Sequence, residues 1–204
     1  MNTKWLYWAQ KMQSISQAGI EYSKDPYDVE RFEQLRNLSA EIVSEYTEID
    51  MEKVIDLFAN ETGYQTPKID VRASIIKDDK ILLVQENDGE WALPGGWAEP
   101  HLSIKENTRK EVMEEAGVEI IPEEIIAVLD RNRHTNDNYP YSVYKIFIQC
   151  TFLSGSFRKN IETIRADFFD KDDLPVLSAA RISQEQIDIC FQHLKDKDRK
   201  IIFD

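Results

Sequence analysis

Gly95-Gly96-Trp97-Ala98-Glu99-Pro100, followed shortly by Arg109-Lys110-Glu111-Val112-Met113-Glu114-Glu115-Ala116-Gly117-Val118, is the stretch on which the fold turns. Its spacing predicts a helix over about 103–116, ended by Gly117. Glu111, Glu114 and Glu115 then stand at i, i+3 and i+4, and with about 100° of turn per residue they share one sector of that helix. Like charges at these spacings destabilise a helix by about 0.2–0.5 kcal/mol per pair, so helix stability alone does not select them. Three converging carboxylates suit a hard divalent cation, which takes oxygen ligands and keeps some water. Gly95-Gly96 lets backbone come close, so a carbonyl near Gly96 is a further candidate ligand. The E-x-x-E-E spacing by itself more often marks a solvated acidic face, since such runs are common on exposed helices; the glycines at fixed offsets tell against that plainer reading.

On either side of this stretch the periodicity is that of strands. Ile69 to Ile75 alternates as a half-buried strand, Asp78-Asp79 signals a hairpin, and Ile81-Leu82-Leu83-Val84 returns. Asn87-Asp88-Gly89 makes another turn before a short strand at Trp91-Ala92-Leu93. Further strands are expected near 125–131 and 141–152 and at Ala166–Phe169, with a closing helix from Ser183 to Leu194. Residues 1 to about 62 have helical spacing instead. Trp5, Trp8, Ala9, Met12, Ile15 and Gly19 mark one face of a first helix; Val29, Phe32, Leu35, Ile42 and Tyr46 mark a second; Val54, Ile55 and Phe58 a third. The expected class is α+β: a small all-helical N-terminal domain over 1–64, joined through Gln65-Thr66-Pro67 to a domain over 68–204 around a mixed sheet. The helices are too few to bury their apolar faces alone, which implies packing on the rest of the chain or on a second copy, and a homodimer is the expected assembly.

The charge balance narrows the function. Twenty-five basic against 38 acidic residues give a net charge of −13 over 204 residues, and the first 62 residues alone carry −6. Such a chain repels nucleic-acid backbone, so tight nucleic-acid binding is not expected. A phosphate-bearing ligand would need a cation as a bridge. Cys150 and Cys190 have no partner at zinc spacing and read as buried, reduced thiols. No apolar run is long enough for a membrane span or a secretory signal, which makes the expected location cytoplasmic.

The glycine and glutamate spacing resembles the signature of the Nudix hydrolases, G-x5-E-x7-R-E-U-x-E-E-x-G-U with U a bulky aliphatic residue. Gly96, Glu111, Val112, Glu114, Glu115, Gly117 and Val118 match seven of its nine defined positions. Leu102 replaces the first Glu and Lys110 replaces the Arg, so the ion pairs that orient the helix in the family are in question here. The resemblance covers about residues 68–200 and implies an α/β/α sandwich. The N-terminal pattern from Trp5 to Phe32, Arg133-His134 and Leu174-Pro175-Val176-Leu177-Ser178 are similar to pieces of the subgroup holding CDP-choline and ADP-ribose pyrophosphatases.

That resemblance implies a pyrophosphatase that splits a nucleoside diphosphate conjugate into a nucleoside monophosphate and a phosphorylated second moiety. CDP-choline and ADP-ribose are the candidate substrates. It implies Mg²⁺ or Mn²⁺ on Glu111, Glu114 and Glu115 with a carbonyl near Gly96, and a general base in Glu111, Glu114 or Glu162. Arg133 and His134, in a polar loop over 133–138, are candidate contacts for phosphate or leaving group; Trp97 and Tyr139 either stack on the substrate or pack. Two other readings share the motif: an exonuclease trimming RNA 3′ ends, and a nucleotide-sensing regulator without activity. Retention of all three glutamates and the acidity of both parts favour the pyrophosphatase.

Overall fold

The computed structural model describes residues 4–47, 49–59, 61–135, 139–196, 198 and 200–204. The chain divides into two compact units, Met1–Pro67 with Asn136–Ser142, and Lys68–Thr135 with Val143–Asp204.

The first unit holds α1 (Lys4–Tyr22), α2 (Pro26–Tyr46) and α3 (Met51–Phe58). Asp25 caps α2 by accepting the Tyr27 N–H, with Pro26 at the first helical position where no donor is needed; Asp50 caps α3 in the same way. A small core of Ala9, Ala40, Val43 and Val54 closes the unit, and Tyr141 from the crossing segment packs on it. The buried stripe differs from the expected one. On α1 it runs Leu6, Ala9, Gln13, Ser16 and Gln17, while Trp8 and Ile15 are 58% and 49% exposed. On α2 Ser39, Ala40 and Val43 are buried, and Leu35 and Tyr46 are not. Val54 of α3 is buried as expected and Ile55 is exposed; the Phe58 side chain lies outside the described residues. Small residues let α1 and α2 approach closely: Gly19 meets the Phe32 ring, and Ser39 Oγ donates to the Ala9 carbonyl at 2.7 Å. Large aromatics are thereby left on the outside.

The second unit is a mixed sheet with a helix on each face. Its strands are β1 (Lys68–Lys77), β2 (Lys80–Glu86), β3 (Trp91–Ala92), β4 (Val118–Asp130), β5 (Val143–Gly155), β6 (Thr163–Asp170) and β7 (Ile202–Phe203). The order is β3-β2-β1-β5-β4-β7, with β6 paired to β2. β1 runs parallel to β5, and the remaining long pairs are antiparallel. The helices are α4 (Ile104–Ala116), the short α5 (Arg131–His134) and α6 (Gln184–Lys195). Strand alternation sorts the apolar residues onto the two faces. Val71, Ala73, Ile75, Leu82, Val84, Ile148 and Cys150 pack with Val112 and Ala116 of α4. Ile81, Leu83, Ile126, Leu129 and Phe147 pack with Ile187, Cys190 and Phe191 of α6.

The strand expected near 125–131 begins at Val118; its first half alternates buried and exposed residues, but apolar Ile121 stands on the exposed side and Pro122 follows it, which hides the strand period in the sequence. The strand expected over 141–152 is Val143–Gly155. The polar loop expected over 133–138 is, at Arg133 and His134, the end of α5; residues 136–138 lie outside the described residues. Both cysteines are free and buried, and burial pushes each thiol up to about 12, so they stay protonated. Among the described residues no helix is long and apolar enough to cross a membrane.

Candidate active site

α4 carries the candidate carboxylates, and its two ends are held by side chains. At the start Ser103 and Glu106 form a capping box. Gly117, at φ +67°, ends it in the left-handed conformation. Asn107, fully buried, pins the loop in front. Its Nδ2 donates to the carbonyls of Glu99, Leu102 and Ser103 at 3.1–3.2 Å, and its Oδ1 accepts the Glu99 N–H at 2.8 Å. Behind the helix, Asn160 Nδ2 donates to the Glu114 carbonyl at 2.7 Å and Thr163 Oγ1 to the Glu115 carbonyl at 2.6 Å. These bonds satisfy carbonyls that a helix end leaves without partners, and they fix the 160–163 loop that bears Glu162.

Glu111 and Glu115, one turn apart, are both 8% exposed and face the Gly95-Gly96 backbone. The Gly95 N–H donates to Glu115 Oε2 at 2.7 Å. Gly95 has φ +142°, and a Cβ there would run into the Val71 carbonyl; a Cβ on Gly96 would stand 2.7 Å from Glu111 Oε2. Only glycine leaves this space open.

The carboxylates border a cleft of about 670 Å³ lined by Arg72, Glu86, Asn87, Asp88, Gly95, Gly96, Trp97, Glu111, Glu115, Ile161, Glu162 and Arg181. Burial pushes the Glu115 carboxyl up to about 7 against the pull of Arg72 and the Gly95 N–H, with Glu111 and Glu86 adding to the rise. Burial also raises Glu111, against Lys110, and Glu86, against Arg181. Carboxyls so placed resist ionising without a cation beside them.

The sequence-derived candidates separate on this geometry. Gly96, Trp97, Glu111, Glu115 and Glu162 all line the cleft, and Trp97 is 48% exposed there, so it does not pack into the core. Glu114 does not line it. It stands about 100° round the helix from Glu115 and is drawn to Lys110, whose Nζ lies 2.6 Å from its Oε2. The Gly96 carbonyl accepts the Val71 N–H at 2.9 Å, so β1 fixes its place. Arg133 and His134 are also outside the cleft lining: Arg133 pairs with Asp130 at 3.7 Å, and His134 Nε2 lies 3.0 Å from Asp204 Oδ2. Tyr139 belongs to the helical unit, edge-on to Tyr141. The missing Glu–Arg support has a substitute. Lys110 reaches Glu99, Glu111 and Glu114 at 3.3, 3.2 and 2.6 Å, and together these carboxylates raise its pKa.

Among the described residues no three His, Cys, Asp or Glu side chains are already gathered into a metal-sized cluster. The cleft supplies carboxylate oxygens from α4, from the end of β2 and from the 160–163 loop, with open space in front of Glu111 kept by Gly96. In donor type and charge these residues fit a hard divalent cation, with Glu86 and Glu162 nearer the place expected for Glu114.

Residues 66–189 match the NUDIX domain profile. The chain belongs to the Nudix family. Its first part, residues 3–58, matches the UDP-X-like N-terminal oligomerisation domain that accompanies some Nudix enzymes. The full chain is 46% identical to YjhB of Bacillus subtilis, provisionally named an ADP-ribose pyrophosphatase, over 99% of that protein. The crystal structure of a UDP-X diphosphatase is 37% identical, covers 98% of both chains and has a TM-score of 0.65. That of an ADP-ribose pyrophosphatase from Streptococcus suis is 43% identical over 68% of this chain and 100% of its own, with a TM-score of 0.64. The protein is thus a Nudix hydrolase.

The sequence reading missed Arg72, Glu86, Asp88 and Arg181 in this Nudix cleft. Arg72 is 7% exposed, held by Asp70 at 2.9 and 3.0 Å and by its bond to the Leu93 carbonyl at 3.1 Å. Burial opposes its charge, but Asp70 together with Glu115 and Glu86 outweighs that and raises its pKa. The signal was present in the sequence: Asp70 and Arg72 alternate with Ile69, Val71 and Ala73 on a strand that is covered on both faces.

Proposed function

We infer that this enzyme hydrolyses the diphosphate bond of a nucleoside diphosphate linked to a second moiety, in a divalent-cation-dependent reaction, with ADP-ribose and UDP-linked compounds as the first candidates. The observation that carries the reading is the buried pair Glu111 and Glu115, aimed at a glycine backbone in a cleft wide enough for a nucleotide. The relatives' names support the substrate class. CDP-choline remains a candidate of the same bond type.

Glu111 and Glu115 hold the cation, with Glu86 and Glu162 as further oxygen donors. Mg²⁺ or Mn²⁺, when bound, neutralises diphosphate charge and acidifies water. The protein's own groups align the reaction. Trp97 offers an exposed ring for the base or sugar, and the Glu162 carboxylate, on a loop tied to α4, accepts the proton of the attacking water. The water oxygen bonds to one phosphorus and the bridging P–O bond breaks. The bridging oxygen leaves with the other phosphoryl group, giving a nucleoside monophosphate and a phosphorylated second moiety. The helical unit, matching an oligomerisation domain, joins two copies as a homodimer through the outward face of α1.

ADP-ribose, UDP-linked sugars, CDP-choline and a short RNA, each with Mg²⁺ or Mn²⁺, test this by chromatography of the products. The expected result is cleavage of a conjugate at least tenfold faster in kcat/KM than any RNA trimming, about 1.4 kcal/mol in barrier, and at least 100-fold loss in Glu115→Gln. Equal activity in that variant would contradict the reading.

A further inference from the structure

Two arginines line the cleft, and their side chains are held differently. Arg72 is locked: buried, with its guanidinium shared between both Asp70 oxygens and the Leu93 carbonyl. Arg181 is 36% exposed at its side chain and meets Glu86, with Asp88 at 3.5 Å and Ser178 Oγ at 3.3 Å. Its backbone is fixed far more firmly than an exposed turn requires. Lys145 Nζ, on a residue only 1% exposed, donates to the Arg181 carbonyl; Arg131, 5% exposed, donates to the Ala180 carbonyl at 3.2 Å. Ser178 closes the turn by accepting from the Arg181 and Ile182 N–H groups at 2.9 Å, and is itself tied to the Trp91 carbonyl at 2.8 Å.

Two buried cations thus grip successive carbonyls of a short segment whose outward product is one guanidinium over an acidic cleft. Bonds from buried cationic side chains to successive carbonyls hold this segment, and with it the base of the Arg181 side chain, in one position. We propose that Arg181 is a substrate-binding residue that takes the diphosphate oxygens, exchanging its contacts with Glu86 and Asp88 for the incoming phosphate. The guanidinium fork suits two phosphate oxygens at once. The exchange frees Glu86 to face the cleft as an oxygen donor, so anion binding and completion of the carboxylate set are one event. This rests on the diphosphate substrate class proposed above.

The test uses the full-length protein and α,β-methylene-ADP, a diphosphate that cannot be hydrolysed, titrated by calorimetry with magnesium present. Wild type, Arg181→Met, Arg181→Lys and the exposed-charge control Lys195→Met are compared, each first checked for an unchanged melting temperature. The expected result is binding weakened at least tenfold in Arg181→Met, partly restored in Arg181→Lys and unchanged in Lys195→Met. In turnover of the best conjugate, the Met variant raises KM by a similar factor and changes kcat by less than threefold. Absence of probe binding by the wild type, a Met variant that binds within twofold of it, or equal weakening in Lys195→Met would overturn the assignment. Because the probe is read without turnover, a wild type that binds it yet cleaves no conjugate would instead defeat the functional reading and leave Arg181 standing as an anion-binding residue.

Discussion

At Glu115 a carboxyl is sheltered from water and bonded by one backbone N–H, and burial pushes it up to about 7. In the metal-free protein this makes stability fall with rising pH. Below about 4.5 both states are protonated and nothing is lost; between about 4.5 and 7 the folded protein keeps a proton that the unfolded chain has released. The expected loss is about 3 kcal/mol by pH 8, since each pKa unit is worth about 1.36 kcal/mol. Urea unfolding in chelator at pH 5 and 8 checks this: wild type should lose stability over that range, and Glu115→Gln should lose far less. Equal slopes would contradict the burial argument. Gly96→Ala, which sets a methyl 2.7 Å from Glu111 Oε2, should lower kcat at least tenfold while the protein stays folded, as kinetics and circular dichroism would show together. Glu111, Glu115 and Gly96 could be read from the sequence because their spacing is a local property of one helix and one turn. Arg181 could not, because its neighbours Glu86, Lys145 and Arg131 are distant in sequence.

At the level of elements, α4 owes its place to amide side chains at both ends. Asn107→Ala removes four hydrogen bonds made by a fully buried side chain and takes from the Glu99 N–H and the Leu102 carbonyl their side-chain partner, which should cost about 2–4 kcal/mol in urea unfolding. Asn160→Ala loosens the loop of Glu162 from the helix, and should reduce kcat more than it raises KM. The helix boundaries were legible, since Ser103 and Gly117 are strong end signals. The first half of β4 was not. Apolar Ile121 stands on its exposed side and blurs the alternation, and Pro122 within it reads as a break rather than as strand.

Across the whole molecule, the outward apolar residues of the helical unit have a period of their own. Trp8, Ile15 and Tyr22 recur every seven residues on α1, 58%, 49% and 66% exposed, the spacing of a helix-to-helix seam. The sequence showed that these helices needed a partner surface; Gly19 and Ser39 bring α1 against α2 along small residues, which leaves Trp8 and Ile15 facing outward. In sedimentation the wild type should be dimeric at micromolar concentration and Trp8→Glu with Ile15→Glu monomeric, with the second unit still folded. A wild type that stays monomeric at every concentration would remove this part of the account.

The central claim, that Glu111 and Glu115 hold a divalent cation which a nucleoside diphosphate then shares, is tested most directly by counting Mn²⁺ bound to the protein by electron paramagnetic resonance, with and without α,β-methylene-ADP. The account predicts saturable Mn²⁺ binding that the nucleotide tightens and that Glu111→Gln, Glu115→Gln weakens at least 100-fold. No Mn²⁺ bound in either condition, or undiminished binding in the double variant, would contradict it.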